Sequence, residues 1–225
     1  AIIVPTHHRD LLDGFLESAG PLRMPRQTGV IIADRLPGLK VSQAGWVVIE
    51  GRQPFAFARN VNLGITQAGR ADVLIANDDV RFTPELRLAE VAVELQQVAR
   101  TRPDVAVVAP CVEGEIGNPL QRPGIAAQVM GGSRLTSAQL REDLAKSGEG
   151  DLQRAKPGET MARLRAQGVV RSDEPNGQVI LSEQRLCFVC VYIRRAVIDA
   201  VGLMSEEFPG YGGDDCDYCL RAQRA

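Results

Sequence analysis

The chain has 225 residues, enough for one well-buried domain with a smaller excursion. Its 26 basic and 28 acidic side chains nearly cancel, which gives no electrostatic case for nonspecific binding to nucleic acid or to a membrane surface. No apolar run approaches the roughly 20 residues of a transmembrane helix, so we expect no transmembrane segment. Five cysteines, an odd number, favour reduced thiols and a cytoplasmic location. The sequence lacks an initiator methionine, and we expect trimming at either end.

Apolar runs alternate with helical periodicity along the first half of the chain. The apolar runs predict strands at residues 1–4, 30–33, 46–49, 73–76 and 105–109. Helices are predicted between most of them, and Pro5-Thr6 is expected to end the first strand. Thr83-Pro84 has the form of an N-cap followed by proline at the first helical position, so a helix is predicted to begin there. This alternation is typical of an α/β fold with a mostly parallel sheet covered on both faces.

The rhythm changes between residues 113 and 178, where glycine, proline and mixed charge are common. We interpret this stretch as a mobile insertion or flap, which either gates a site or is a passive surface excursion. Strand-like patterns return at residues 179–181 and 186–193, followed by a short helix. We predict a single domain over residues 1–225 that includes the insertion.

The first candidate site follows the apolar run at residues 73–76, which ends abruptly in Asn77, Asp78 and Asp79. Adjacent carboxylates at a strand exit repel each other unless a cation or water lies between them. In open α/β sheets, ligands bind outside the carboxyl ends of the strands. The triplet therefore indicates either an oxygen-lined site for a divalent ion that holds a phosphate, or a solvated turn with an Asx cap.

The second candidate site lies near the end of the sequence, where a glycine-rich loop leads into Asp214, Asp215 and Asp217. Acidic residues suit a helix N-terminus because its free amides and macrodipole stabilise negative charge. Simple capping by Asp214 or Asp215 is therefore one interpretation. The other is a general base that the loop presents beside the first acidic cluster.

Two Cys-x-x-Cys pairs, Cys187 with Cys190 and Cys216 with Cys219, resemble a zinc signature. We predict that the first pair lies within a strand, where its two side chains would point to opposite faces, whereas a zinc knuckle needs a turn. Small buried cysteines that pack like alanine or valine explain both pairs. A non-enzymatic four-cysteine zinc module remains an alternative.

Four ordered blocks carry a resemblance to a known family. They are IVPT at residues 3–6, FARNVNLGI at 57–65, LIANDDV at 74–80, and the closing block at 191–221 that contains GGDDCD. On these blocks the chain resembles the family 2 glycosyltransferases of the GT-A fold, in particular the rhamnosyltransferase-like branch. Asn77 stands where the family's metal motif often has its first Asp, and Asp214 stands where a Glu is usual.

The resemblance implies a GT-A-type, Rossmann-like fold and an inverting, metal-assisted transfer of a sugar from a nucleoside-diphosphate sugar to an acceptor hydroxyl. Residues 1–110 would form the nucleotide-sugar-binding half and residues 179–225 the half that carries the acceptor site and the base. The cofactor would be Mn²⁺ or Mg²⁺. The acceptor is left open among a glycan, a lipid-linked glycan, a small molecule and a modified nucleic acid.

The resemblance also implies a role for each matched residue. Pro5, Thr6 and Asp34 would border the nucleobase and ribose, and Arg59 would lie near the diphosphate. Asn77 and Asp78 would contact the donor, and Asp79 would bind the metal. Asp215 would be the base, with Asp214 beside it.

A sugar-phosphate nucleotidyltransferase is a further alternative, because that class also uses an α/β nucleotide-binding sheet. It would require a glycine-rich, basic loop after the first strand to hold phosphates. The sequence Pro-Thr-His-His-Arg at residues 5–9 supplies no such loop.

Overall fold

The computed structural model describes residues 1–22, 27–112, 121, 170–172, 180–182, 186–208 and 213–225. The chain divides into two compact units, one formed by Ala1–Ala109 with Phe188–Ala225 and the other by Pro110–Cys187. Most of the predicted insertion, including both of its short amphipathic pieces, lies outside the described residues. Within the described ranges, no helix combines the length and the apolar character needed to cross a bilayer.

The described elements follow the predicted alternation of strands and helices. The strands in chain order are β1 (Ile2–Thr6), β2 (Gly29–Ala33), β3 (Trp46–Glu50), β4 (Val73–Ala76), β5 (Val107–Val108), β6 (Val170–Ser172), β7 (Ile180–Ser182) and β8 (Cys190–Ile193). The helices are α1 (Arg9–Ala19), α2 (Phe57–Ala68), α3 (Leu88–Thr101), α4 (Arg195–Val201) and α5 (Asp214–Arg224).

Six of the described strands form one sheet in the order β3-β2-β1-β4-β8-β5. The pairs β3–β2, β2–β1 and β1–β4 are parallel, whereas β8 is antiparallel to both of its neighbours. Strand β5 therefore runs in the same direction as β4. In the second unit, β6 and β7 form an antiparallel pair. The prediction of an α/β fold with a mostly parallel sheet is confirmed.

Helices cover both faces of the sheet in the first unit. Ile2 and Val4 of β1 point into the main core with the apolar faces of α1 and α3. Ile3, between them, points to the opposite face, where α2 packs. The approach of α2 is close: a Cβ on Gly64 would lie 2.3 Å from Ile3 Cγ2, so only glycine fits there without a shift. Alternation along a single strand thus supplies two cores.

Strand β1 runs two residues beyond its predicted end and includes Pro5 and Thr6. A proline inside a central strand is unusual because it has no N–H to donate. The backbone groups of Ile2 and Thr6 bond toward β2, so Pro5 faces the β4 side. The pairing of β1 with β4 stops at Ile3, and no donor is required at Pro5.

Helix α3 begins at Leu88, later than the predicted start at Thr83-Pro84, so that prediction is wrong. Thr83 instead closes a turn, in which its backbone carbonyl and its hydroxyl oxygen both accept from the Leu86 N–H at 3.2 Å. The Thr83 hydroxyl does accept from a nearby backbone N–H, as an N-cap would, but the bond belongs to this turn and not to a helix. The helix starts where its first fully buried side chain begins the apolar stripe.

Strand β8 is shorter than the predicted strand at residues 186–193, because a turn occupies residues 188–189. The expectation that Cys187 and Cys190 share one strand is therefore wrong, and with it the reason given there against a zinc knuckle. Cys190 is buried, and burial raises the pKa of its thiol to about 12.

Asp72, at the amino end of β4, joins two elements. Its carboxylate accepts from Tyr192 Oη at 2.6 Å and from the backbone N–H of Arg195, in the first turn of α4, at 2.8 Å. We expect Asp72→Ala to lower the free energy of unfolding by about 1–3 kcal/mol, because it removes the acceptor of an N–H in the first turn of α4 and one of the two side-chain partners of the Tyr192 hydroxyl, the other being Gln96. Equilibrium unfolding in urea would measure the change.

The matched control for this prediction is Asp199→Ala. Asp199 forms an ion pair with Arg195 within α4 at 2.8 Å, and its side chain is 59% exposed. Exposed pairs of this kind contribute about 0.3–0.5 kcal/mol. Equal losses for the two variants would contradict the role assigned to Asp72.

Candidate functional site

One edge of the sheet carries the predicted site residues. Strands β1 to β4 are mutually parallel, so their carboxyl ends lie along the same edge. Thr6 ends β1, Asp34 follows β2, and residues 77–79 follow β4. Helix α2 begins shortly after β3 and packs against β1 and β2, so its amino terminus lies at this edge as well.

A hydrogen bond joins the exits of β1 and β4. Thr6 is fully buried, and its Oγ1 donates to Asp78 Oδ2 at 2.6 Å. Burial raises the pKa of Asp78 above its ordinary value; the bond from Thr6 opposes that rise, and the charge of Asp79 adds to it. Asp79 itself is exposed, and the backbone N–H of Asn77 donates to the carbonyl of Val189 at 2.9 Å. Of the two carboxylates in the triplet, that of Asp78 is partly buried and bonded to Thr6, and that of Asp79 is exposed.

Asp34 is a second carboxylate at this edge and is fully buried. Its backbone N–H donates to the Thr6 carbonyl at 2.8 Å, which continues the β1–β2 ladder. Gln53 Nε2 donates to its Oδ1. Its Oδ2 is buried and has no hydrogen-bond partner among the described residues.

Three aromatic rings lie beside these carboxylates. The ring of His7 is 3.9 Å from that of His8 and 4.4 Å from that of Phe55, measured between centroids. Burial and the neighbouring His8 lower the pKa of His7, while the charges of Asp78 and Asp34 act in the opposite direction. The segments that follow β1 and β3 therefore meet beyond the carboxyl end of β2, which Asp34 follows.

Residues 204 and 206, which follow α4, lie against α2. Asn62 of α2 holds Met204: Nδ2 donates to the carbonyl of Met204 at 2.9 Å and Oδ1 accepts from the N–H of the same residue at 2.9 Å. Glu206 accepts from Asn62 Nδ2 at 3.0 Å and pairs with Arg59 Nε at 3.6 Å. Arg59 also donates to the carbonyls of Gln53 and Pro54, at 3.4 Å each.

Helix α5 begins near the first turn of α2. Asp214, its first residue, is 5% exposed, and the backbone N–H of Ala58 in that turn of α2 acts to lower the pKa of its carboxyl. Asp215 is partly exposed, and its Oδ1 accepts from the N–H of Cys216 at 2.7 Å. Tyr218 anchors the helix: it is fully buried, with its ring edge-on to Phe188 at 5.8 Å.

The fold thus brings the two acidic clusters to the same edge of the sheet, although no hydrogen bond or ion pair in the described part of the chain joins Asp79 to Asp215. Asp217, the third acid of the second cluster, turns to Arg221 and pairs with it at 2.7 Å. Pro5 is buried within β1. The interpretation of Asp214 or Asp215 as the N-cap of α5 is wrong: Gly213 holds that position, and both acids lie in the first turn of the helix. Asp215 is partly exposed.

The buried position of Asp214 predicts a pH dependence of stability. Burial raises its pKa above the ordinary value of 3.8, although hydrogen bonds from the N–H groups of Asp215 and Ala58 oppose the rise. Because the folded state then binds the proton more tightly than the unfolded chain, Asp214 stabilises the fold increasingly as the pH falls through its raised pKa. This contribution is complete below the ordinary value and is lost as the pH rises.

We therefore expect the stability of the wild type relative to Asp214→Asn to increase as the pH falls from 7 to below about 4. Asparagine keeps an oxygen that can accept from the N–H of Asp215 but does not titrate. Urea unfolding at a series of pH values would measure the difference. A difference that stays constant or shrinks on acidification would contradict the buried position of the carboxylate.

Two residues of this edge were not anticipated from the sequence. Asn62 lies on the buried side of α2, and a polar residue at an apolar position of the helical period was a readable signal. Gln53 gave no signal, because its contacts with Asp34 and Arg59 arise from the turn between β3 and α2.

No group of three or more His, Cys, Asp or Glu side chains among the described residues could hold a metal ion. A divalent cation at this edge would therefore rely on one or two carboxylates, together with oxygens from substrate and water, as Mg²⁺ commonly does. The partly buried Asp78 and the exposed Asp79 are the carboxylates that fit this description.

No protein-family model matches the sequence. A search of curated proteins likewise gives no match.

Proposed function

We propose that the chain is an inverting glycosyltransferase of the GT-A type that moves a sugar from a nucleoside-diphosphate sugar to an acceptor hydroxyl. The observation that carries the proposal is that two acidic clusters, far apart in sequence, lie at the carboxyl edge of one mostly parallel sheet. That edge is where open α/β sheets bind ligands. The four sequence blocks that resemble family 2 glycosyltransferases supply most of the residues at this edge.

In this proposal the donor lies along the edge from β2 to β4. Asp34, Thr6 and Pro5 border the nucleobase and ribose. Arg59, held by the carbonyls of Gln53 and Pro54, offers a cation to the diphosphate near the amino terminus of α2. Two residues of the triplet, Asn77 and Asp78, contact the donor, and the bond from Thr6 fixes the Asp78 carboxylate.

Asp215 is the proposed general base. It would take the proton of the acceptor hydroxyl while that oxygen forms a bond to the anomeric carbon and the bond to the diphosphate oxygen breaks. Attack from the face opposite the leaving group inverts the anomeric configuration. Asp214 accepts from the backbone N–H of Asp215 at 3.1 Å and would so help to position it.

The residues present fit a divalent cation, Mn²⁺ or Mg²⁺, with Asp79 as its protein ligand. Asp79 is exposed at a strand exit, and the adjacent Asp78 carboxylate has its pKa raised by burial, a cost that a nearby cation would offset. When bound, the cation would neutralise charge that develops on the departing nucleoside diphosphate.

A thermal-shift panel of UDP, TDP, GDP and the corresponding sugar nucleotides, each with and without Mn²⁺, tests the proposal. We expect at least one nucleoside diphosphate to raise the melting temperature, with a larger rise when Mn²⁺ is present, because a ligand that binds only the folded state stabilises it. Stabilisation by none of them would overturn the proposal. Zn²⁺ added alone serves as the comparison for the four-cysteine alternative.

A further inference from the structure

Only one of the two carboxylate oxygens of Asp34 accepts a hydrogen bond from a described residue. None of its surface is exposed; Gln53 Nε2 donates to Oδ1, and no described residue donates to Oδ2. An ionised carboxylate that is removed from water is costly unless hydrogen bonds satisfy its oxygens. One neutral amide is a small compensation for a group that can accept several bonds. The arrangement therefore suits a carboxylate that exchanges its partner.

The backbone around Asp34 leaves it little freedom to move. Its N–H is bonded to the Thr6 carbonyl, and the neighbouring Gly51 donates its N–H to the Ala33 carbonyl at 2.8 Å. Gly51 also packs against it, since a Cβ on that glycine would lie 3.1 Å from Asp34 Cβ. Any ligand that reaches this carboxylate must therefore displace something else.

The Gln53 side chain is the partner of Asp34 that a ligand can displace. It is exposed, lies beyond the end of β3, and its Oε1 accepts from the exposed Arg35 at 3.1 Å. The bond with Arg35 is thus made at the surface, where water can replace it at little cost. The backbone carbonyl of Gln53 accepts from Arg59, so the same residue contacts the proposed nucleobase side and the proposed diphosphate side.

We propose that the Gln53 side chain is a displaceable cover of Asp34, which holds the carboxylate in the free protein and gives way to an N–H or O–H donor of the incoming nucleotide. This inference rests on the proposed function, in which Asp34 borders the nucleobase and ribose. The exchange is one hydrogen-bond donor for another and involves no covalent step. Gln53 is accordingly a specificity-determining residue, because only a ligand that presents a donor to Asp34 compensates for the amide it displaces.

Carboxyl labelling with a carbodiimide and an amine, read by mass spectrometry, tests the cover without any nucleotide. We expect Asp34 to remain unmodified in the wild type and to be modified in Gln53→Ala. Arg35→Ala, which removes the anchor of the Gln53 side chain, should give intermediate labelling. Asp104, whose side chain is 63% exposed, should react equally in all three proteins, whereas the buried Asp214 should stay protected. Equal labelling of Asp34 in the wild type and Gln53→Ala would overturn the cover.

Nucleotide titration by calorimetry tests the exchange itself. Gln53→Ala should bind the best nucleoside diphosphate about 2- to 10-fold more tightly, since one modest hydrogen bond no longer has to be broken. In the Asp34→Ala background, which offers Gln53 no acceptor, the same substitution should give no gain. Binding that is unchanged or weaker in Gln53→Ala would overturn the cover while the proposed function stands. Absence of binding by every variant would overturn both.

Discussion

Asp215→Asn is expected to slow sugar transfer by about 10²- to 10⁴-fold, the range that a positioned general base contributes. Asparagine cannot take the proton of the attacking hydroxyl, but it can still accept from the N–H of Cys216, as Asp215 does at 2.7 Å. The fold and the binding of nucleoside diphosphate should therefore persist. Release of nucleoside diphosphate from the sugar nucleotide in the presence of acceptor would give the rate, and calorimetry would give the affinity.

The matched control is Asp217→Asn, two positions further along α5. Asp217 pairs with Arg221 at 2.7 Å and so is already engaged within its own helix. Its loss should leave turnover close to that of the wild type, because an ion pair of this kind within a helix contributes little to stability and nothing to proton transfer. Near-normal turnover by Asp215→Asn, or an equal loss in both variants, would refute the assignment of the base.

Asp79→Asn is expected to abolish the dependence of donor binding on Mn²⁺. In the presence of Mn²⁺ the variant should bind nucleoside diphosphate about 10- to 100-fold more weakly than the wild type, because a neutral amide is a poorer ligand for a hard cation than a carboxylate. With EDTA the two proteins should bind alike. Affinity measured by calorimetry under both conditions supplies the test.

Asp13→Asn controls for a general change in surface charge. Asp13 lies on α1, pairs with Arg9 at 2.8 Å and is 52% exposed, so its loss removes the same charge away from the edge of the sheet. We expect it to keep the full response to Mn²⁺. A response in Asp79→Asn as large as in the wild type would contradict Asp79 as the metal ligand and would leave the transfer proposal without its cation site.

Strands that are buried on both faces could be predicted closely from the sequence. Residues 73–76 form a continuous apolar run between polar residues, and β4 occupies those four positions. The end of α2 at Ala68 was equally clear, because Gly69 takes a positive φ of 62° that an L-residue avoids. Both features are written in consecutive residues.

Boundaries failed where a local signal had a second use. Thr83-Pro84 looks like a helix start, but the Thr83 hydroxyl serves a separate turn. The apolar residues at 186–189 are typical of a strand, but Phe188 lies in a turn and its ring packs against Tyr218. In both cases packing or hydrogen bonding with other residues determined the backbone conformation, and hydrophobic periodicity carries no information about those contacts.

The candidate site could be located from the sequence but not assembled. The acidic residues after β4 were placed at the right edge by the rule for parallel sheets, whereas Asp34, after β2, was assigned only through the family resemblance. The bond from Thr6 to Asp78 and the contact of Asp214 with α2 join residues that are far apart in the chain. Such pairings depend on strand order, which composition and periodicity do not determine.

The position of β8 has a consequence for how the first unit folds. This strand lies between β4 and β5, yet it is synthesised only after the whole second unit. Val107 of β5 therefore cannot pair with Ile193 until the second unit has been synthesised. Contacts of such high sequence separation slow folding and favour completion after translation. A fragment that ends at Ala109 would display two long-lived, unpaired strand edges, and its natural fate in solution is self-association.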